Sequence, residues 1–195
     1  MNDKRRNPWT TLASSEVYDN DWINVREHRV LKPNGAPGVY GTVHYKHRAV
    51  GVAPIDDRGR ICLVGQFRYP HGKYSWEIPE GGGRPDEDPQ AAAMRELGEE
   101  AGIAARRWLE ILRLDLSNSV SDESAVCYLA WDLDRSAPAP EETEILELRW
   151  LAFSDALALA LGGEITDAIS VATLLRIDHM RLQRTLPPAL AAAMA

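Results

Sequence analysis

The strongest constraint on the fold of this chain is a stretch that specifies both ends of one helix. Asp88 followed by Pro89 is a start signal: an N-cap carboxylate ahead of a residue whose missing N–H costs nothing in the first turn. Gly102 is the matching stop, a residue that adopts the left-handed conformation without strain. At about 100° per residue, Ala93, Met94, Leu97 and Ala101 share a face expected to turn toward the core. Glu96, Glu99 and Glu100 fall together on the neighbouring face, at i, i+3 and i+4 spacing. Carboxylates that close repel one another, and a helix gains no stability from them. A solvated acidic face is the plain alternative, but such faces interleave lysine, and here the nearby cation is Arg95 alone.

Around this helix the pattern changes period. Residues 17–52 alternate apolar and polar, with a turn at 32–35, as expected of an antiparallel meander. Residues 51–55 and 61–68 are expected as two strands joined through the turn 56–59, giving a hairpin. Strands follow at 108–116, 125–133 and 146–153, with a proline-bearing loop at 135–142. Two helices are expected at the C-terminal end, over 154–161 and from about 167 to 183, with Pro187 and Pro188 closing the second. Strands interrupted by helices at irregular intervals point to an α+β fold, a mixed sheet sandwiched between helices.

Composition removes several classes of function. A net charge of -7 and a pI near 5.3 leave no broad basic surface for nucleic acid. The short basic run Lys4-Arg5-Arg6 has no apolar segment behind it, so it is expected as a solvated tail and not as a signal peptide. Nor is any segment apolar for long enough to span a bilayer, so the expected setting is cytoplasmic, without a membrane partner. Cys62 and Cys127 sit in strand-like runs and are expected as buried thiols. The histidines lack the spacing of a zinc site.

A hard divalent cation would resolve the repulsion among Glu96, Glu99 and Glu100, because Mg²⁺ takes oxygen ligands and commonly shares them with substrate phosphates. Mn²⁺ is a substitute of the same kind. The wider spacing is specific: Gly81, Glu87, Arg95, Glu96, Leu97, Glu99, Glu100, Gly102 and Ile103 satisfy the pattern G-x5-E-x7-R-E-U-x-E-E-x-G-U, with U apolar. A chance match has odds below roughly one in ten million at average residue frequencies. The segment resembles the signature of the Nudix hydrolases. That resemblance implies that Glu96, Glu99 and Glu100 bind metal, with Glu99 and Glu100 serving the chemistry directly. It also implies that Glu80 lends a backbone carbonyl to the metal, that Glu87 and Arg95 brace the loop against the helix, and that Gly81 and Gly102 serve the backbone.

Outside the signature, Gln66-Phe67-Arg68-Tyr69-Pro70 and Trp76-Glu77-Ile78-Pro79-Glu80-Gly81 are similar to the branch that hydrolyses ADP-ribose and other nucleoside diphosphate sugars. The resemblance implies a Nudix-type sheet with an N-terminal β-meander at about 14–50, within a single domain over 1–195 whose catalytic core spans 51–185. It further implies a small nucleotide as substrate and a homodimer that exchanges its N-terminal strands. Arg68 would clamp the diphosphate, the alternative being a surface strand residue; Glu77 would touch the metal or the terminal sugar, the alternative being a salt bridge. The resemblance also implies a catalytic base in an acidic loop late in the chain, which here matches Glu141, Glu142 and Glu144, with Glu142 as base and Glu144 beside it at the metal; a solvated acidic turn is the plain alternative, and Glu123 is a weaker candidate. Trp22 offers a flat face for a nucleobase, although a core tryptophan of the first sheet is the heavier expectation. One departure bears on substrate: the branch usually carries a proline in the loop after the signature, and residues 117–123 hold none. The rival functions are a house-cleaning nucleoside triphosphate pyrophosphohydrolase and a nucleotide-sensing module without catalysis.

Overall fold

Three antiparallel strands open the chain: β1 (Thr10–Asp19), β2 (Ile23–Leu31) and β3 (Pro37–Tyr45), in that order across the sheet. The first turn is held by Asn20, whose side-chain oxygen accepts the N–H groups of Trp22 and Ile23 at 2.9 and 2.8 Å. In the second, Gly35 takes φ 80°, and its N–H reaches the Lys32 carbonyl at 2.8 Å. The meander is thus present and starts earlier than its alternation suggests, because β1 is mostly exposed on both faces and shows no clean period.

The structure is a computed structural model that describes residues 6–135 and 145–195. The chain forms two compact units, Met1–His47 with Asp115–Glu123, and Arg48–Leu114 with Ser124–Ala195. In the first unit the segment 115–123 is tied to β3. Val43 donates its N–H to the Val120 carbonyl at 2.9 Å, and Asp122 receives the Tyr45 N–H at 2.9 Å and pairs with His44 at 2.5 Å.

The second unit contains β4 (Arg48–Pro54), β5 (Arg60–Arg68), β6 (Lys73–Glu77), β7 (Glu80–Gly83), α1 (Pro89–Ala101), β8 (Ile103–Asp115), β9 (Ser124–Arg135), β10 (Glu147–Ala152), α2 (Phe153–Leu161), α3 (Ala168–Leu182) and α4 (Pro188–Ala193). One sheet is mixed, in the order β7-β4-β9-β8, with β4 parallel to β9 and antiparallel to β7. The other is β10-β5-β6, antiparallel throughout. The expected hairpin of β4 and β5 is therefore not formed. Both edges of β4 are taken, by β7 and β9, so beyond the single bridge Ile55–Ile61 the chain carries β5 into a separate sheet.

Alternation along β4 sets the two helical layers. Val50 and Val52 are fully buried in a cluster with Ala92, Ala93, Leu97 and Ala101 of α1. Gly51, between them, faces the opposite way, where a Cβ would stand 2.7 Å from Ile169 of α3. The missing side chain is what lets α3 approach so closely. Among the described residues no helix is long and apolar enough to cross a membrane.

Several boundaries differ from expectation. β8 begins at Ile103, straight after the helix stop, and Phe153 opens α2 instead of closing β10. α3 ends at Leu182 ahead of Pro187 and Pro188, as expected, and Pro188 also starts a short helix α4 that was not expected, whose Leu190 is buried. Met94 is 48% exposed and not part of the core face. The buried arc of α1 instead runs through Ala92, Glu100, Ala93 and Leu97 to Ala101, with Glu100 inside it.

Candidate metal centre

α1 keeps the caps its sequence specifies. Asp88 Oδ1 accepts the N–H groups of Gln90 and Ala91 at 3.0 and 3.1 Å, and Gly102 ends the helix at φ 62°, returning its N–H to Gly98. The last turn carries no basic residue and two glutamates, which places negative charge at the end of the helix dipole that disfavours it. Such a position costs stability unless a cation compensates.

Part of that compensation is Arg95. Its guanidinium reaches Glu96 at 2.7 Å, Glu99 at 2.9 Å, both Glu87 oxygens at 3.2 and 3.1 Å and the Gly82 carbonyl at 3.0 Å. The Glu87 hydrogen bond is the largest influence raising the Arg95 pKa, and Arg95 in turn holds the Glu87 carboxyl below its ordinary range. Glu87 also accepts the Arg84 N–H at 3.1 Å, so one arginine joins the loop after β7 to the helix. Gly81 completes the close approach: a Cβ there would overlap the Glu96 carboxylate. Glu96 is 13% exposed at its side chain and Glu99 37%, while Glu100 as a residue is 4% exposed.

Glu100 links this helix to a second acidic group. Its Oε2 accepts the Glu80 N–H at 2.9 Å. The Glu80 side chain points into a cluster where Glu77, Glu80 and Asp167 each offer an oxygen within 4.8 Å of the others. Arg68, the last residue of β5, binds both Glu77 oxygens, at 3.1 and 2.9 Å from Nε and 2.5 Å from Nη2, and reaches Glu80 Oε1 at 2.6 Å. Asp167 caps α3 through the Ser170 N–H at 2.6 Å, and Ser170 Oγ accepts the Ile78 N–H at 2.9 Å, fastening the start of α3 to the β6–β7 link. Glu80 Oε2 is buried with no hydrogen-bond partner among the described residues. Burial, reinforced by the Asp167 and Glu77 carboxylates and only partly offset by Arg68, pushes the Glu80 carboxyl well above the usual carboxylate range.

The donor set fits a hard divalent cation. Every available ligand is a carboxylate oxygen, the glutamates outnumber the arginines that neutralise them, and one buried oxygen lacks a donor. The structure thus brings together Glu77, Glu80, Arg68, Glu96, Glu99 and Glu100. Arg68 is neither a plain surface residue nor a free clamp: it is held by two carboxylates. Trp22 belongs to the other unit and is 61% exposed, against His47 at 5.1 Å between ring centres, so the expectation of a core tryptophan is overturned. The two rings meet at a tilt of 43°, and most of Trp22 stays open to solvent. Glu123 also belongs to that unit. Glu141, Glu142 and Glu144 lie outside the described residues. Sequence reasoning missed the side chain of Glu80 and the whole of Asp167. The spacing Glu77-x-x-Glu80 is open to view, whereas Asp167 carries a helix-start signal and no ligand signal.

Two protein-family models match the chain. The model of the NUDIX domain matches residues 45–172, and that of the nucleoside diphosphate sugar hydrolase N-terminal domain matches residues 9–43. The chain is 33% identical over 175 residues to the ADP-ribose pyrophosphatase of Mycobacterium tuberculosis, covering 86% of this chain and 82% of that protein. It is 31% identical over 178 residues to the ADP-ribose pyrophosphatase of Bacillus subtilis, covering 90% and 94%. A crystal structure described as an ADP compounds hydrolase superposes with a TM-score of 0.81 over 91% of this chain and 97% of that one, at 22% identity, a likeness of fold.

Proposed function

The chain belongs to the NUDIX family of divalent-metal-dependent hydrolases, and from that premise we propose that it cleaves the pyrophosphate bond of ADP-ribose or another nucleoside diphosphate sugar, releasing a nucleoside monophosphate and a sugar phosphate. The observation that carries this reading is the link from α1 to Arg68, the arginine we assign to the diphosphate: Glu100 accepts the Glu80 N–H at 2.9 Å, and Glu80 Oε1 accepts from Arg68 at 2.6 Å. Cation-binding and phosphate-binding groups share one site.

Glu96, Glu99 and Glu100 would hold Mg²⁺, with Mn²⁺ as substitute, together with the backbone carbonyl of Glu80. Bound there, the ion supplies neutralisation of the diphosphate and acidification of the attacking water. The chain's own residues do the remainder. Glu77 and Glu80 engage Nε and Nη2 of Arg68 and fix the guanidinium before substrate arrives, so that Nη1 would meet a phosphate oxygen. Arg95 keeps Glu96 and Glu99 oriented and the loop closed against the helix. For the proton of the attacking water we assign Glu142, with Glu144 beside it, on the strength of their place in the sequence. Trp22 and Glu123 remain candidates for contact with the nucleotide.

The same reading includes a homodimer built through the N-terminal sheet, in a reducing compartment such as the cytoplasm. In support, Leu12, Val17, Tyr18 and Val39 are all more than half exposed on that sheet, a density of apolar surface that favours burial against another chain. Both cysteines are buried free thiols.

The test is product analysis after incubation with Mg²⁺ and ADP-ribose, ADP-glucose, GDP-mannose or a nucleoside triphosphate. The expected products are AMP and ribose 5-phosphate, or the matching pair from another sugar nucleotide. Pyrophosphate released from the triphosphate alone would instead assign the house-cleaning reaction, and no turnover of any compound would assign a sensing role.

A further inference from the structure

We propose that Glu77, Glu80 and Asp167 form a divalent-cation site of their own, next to the one on α1, with Mg²⁺ or Mn²⁺ as its ligand. The inference deepens the function proposed above and shares with it the premise that a hard cation enters this region.

Three elements that are distant in sequence build the cluster: the end of β6, the start of β7 and the N-cap of α3. Their side chains converge although each is a carboxylate, with one ligand atom from each lying within 4.8 Å of the others. A fold does not assemble three negative groups without a counter-charge, since burying a carboxylate costs several kcal/mol and like charges add to it. Arg68 supplies one positive charge, and its hydrogen bonds go to both oxygens of Glu77 and to Glu80 Oε1. None of its hydrogen bonds reaches Glu80 Oε2 or Asp167.

The second, independent observation is Glu80 Oε2 itself. It is buried among these groups with no donor among the described residues, and a carboxyl oxygen so placed has lost its hydration without a replacement. A cation ligated by oxygens is the replacement that satisfies it and neutralises its neighbours together. The surroundings favour a small, hard ion over a thiophilic one, because no nitrogen or sulfur ligand belongs to the cluster. Its frame is already rigid. Ser170 Oγ holds the Ile78 N–H, and the Ser170 N–H holds Asp167 Oδ2, so the oxygens of β6, β7 and α3 are kept in register by hydrogen bonds that the ion need not make. The site would add a positive charge beside Arg68, where a diphosphate carries its negative charge.

The experiment is titration of the full chain with Mn²⁺ alone, counting free ion by electron paramagnetic resonance. Wild type is expected to take up about two ions, as in paired-metal sites. Glu80→Gln and Asp167→Asn are expected to weaken one of them at least tenfold, since removing a direct ligand should cost no less than removing an outer-shell partner, while Glu99→Gln weakens the other. Both substitutions preserve shape, and asparagine keeps the N-cap of α3. A second readout guards against misfolding: in EDTA, Glu80→Gln should melt no lower than wild type, and its melting point should rise less than that of wild type when Mn²⁺ is added. Mn²⁺ uptake by Glu80→Gln and Asp167→Asn identical to wild type would overturn this inference and leave the α1 site standing. Absence of uptake by wild type would overturn both.

Discussion

β5 has an arginine at each end, and the two ends differ in how their charges are met. At its start, Arg60 pairs with Asp56: Nε and Nη2 reach Asp56 Oδ2 at 2.9 and 2.7 Å, while Oδ1 takes the backbone N–H groups of Arg58 and Arg60. The Trp150 ring lies 5.7 Å from the guanidinium carbon. Both carboxylate oxygens of Asp56 are satisfied by hydrogen bonds. At its other end, Arg68 serves Glu77 and Glu80, with Asp167 beside them, and a buried oxygen of Glu80 is left over. The balanced end fixes a turn. The overloaded end holds three carboxyl groups against one arginine, and the proposed cation would meet that surplus.

The comparison can be broken most decisively at Glu100, which adjoins the overloaded end. Glu100→Gln keeps the shape of the side chain and removes the charge. Metal stabilisation of the transition state is worth several kcal/mol, so turnover should fall on the order of 10³-fold or more, with the melting point little changed; steady-state kinetics and circular dichroism check the pair. Next comes the arginine contrast. Arg68→Lys should lower kcat/KM by about 10²-fold through loss of the planar fork, whereas Arg60→Lys should leave it within about twofold, as expected away from the site. Equal losses at both positions would erase the distinction.

At the balanced end the expected effects are on stability. Asp56→Ala strands the Arg58 and Arg60 N–H groups and should cost about 1–3 kcal/mol in urea unfolding, with kinetics unchanged. The smallest effect is its pH dependence. Burial alone would raise the Asp56 carboxyl, but the hydrogen bonds from Arg60 and Arg58 outweigh it and hold the group below its ordinary range. A carboxyl depressed in the folded state contributes stability above its unfolded pKa, about 4, and loses that contribution as pH falls through the folded value. The stability gap between wild type and Asp56→Asn should therefore be full at neutral pH and shrink below about pH 4.

What the sequence made legible follows from how local each signal is. Asp88, Pro89 and Gly102 delimit α1 because caps act through neighbouring backbone. The core face of the same helix was misplaced toward Met94, since a glutamate was not expected inside a buried arc, and Glu100 lies there. The hairpin of β4 and β5 failed for the opposite reason. Proximity in sequence favours it, but β4 pairs with β9, which begins at Ser124, and pairing at that separation leaves no trace in either segment. The signature glutamates were visible through their spacing. The cluster of Glu77, Glu80 and Asp167 was not, because α3 brings Asp167 to it from the far end of the chain.

In the proposed function, acidic side chains grip a divalent cation between protein and diphosphate. Isothermal titration calorimetry of the purified chain with Mg²⁺, in the presence of an uncleavable analogue of ADP-ribose, tests this directly. Saturable uptake that tightens when the analogue is present and is lost in Glu100→Gln is the predicted result. No uptake of Mg²⁺ or Mn²⁺, with or without the analogue, would contradict it.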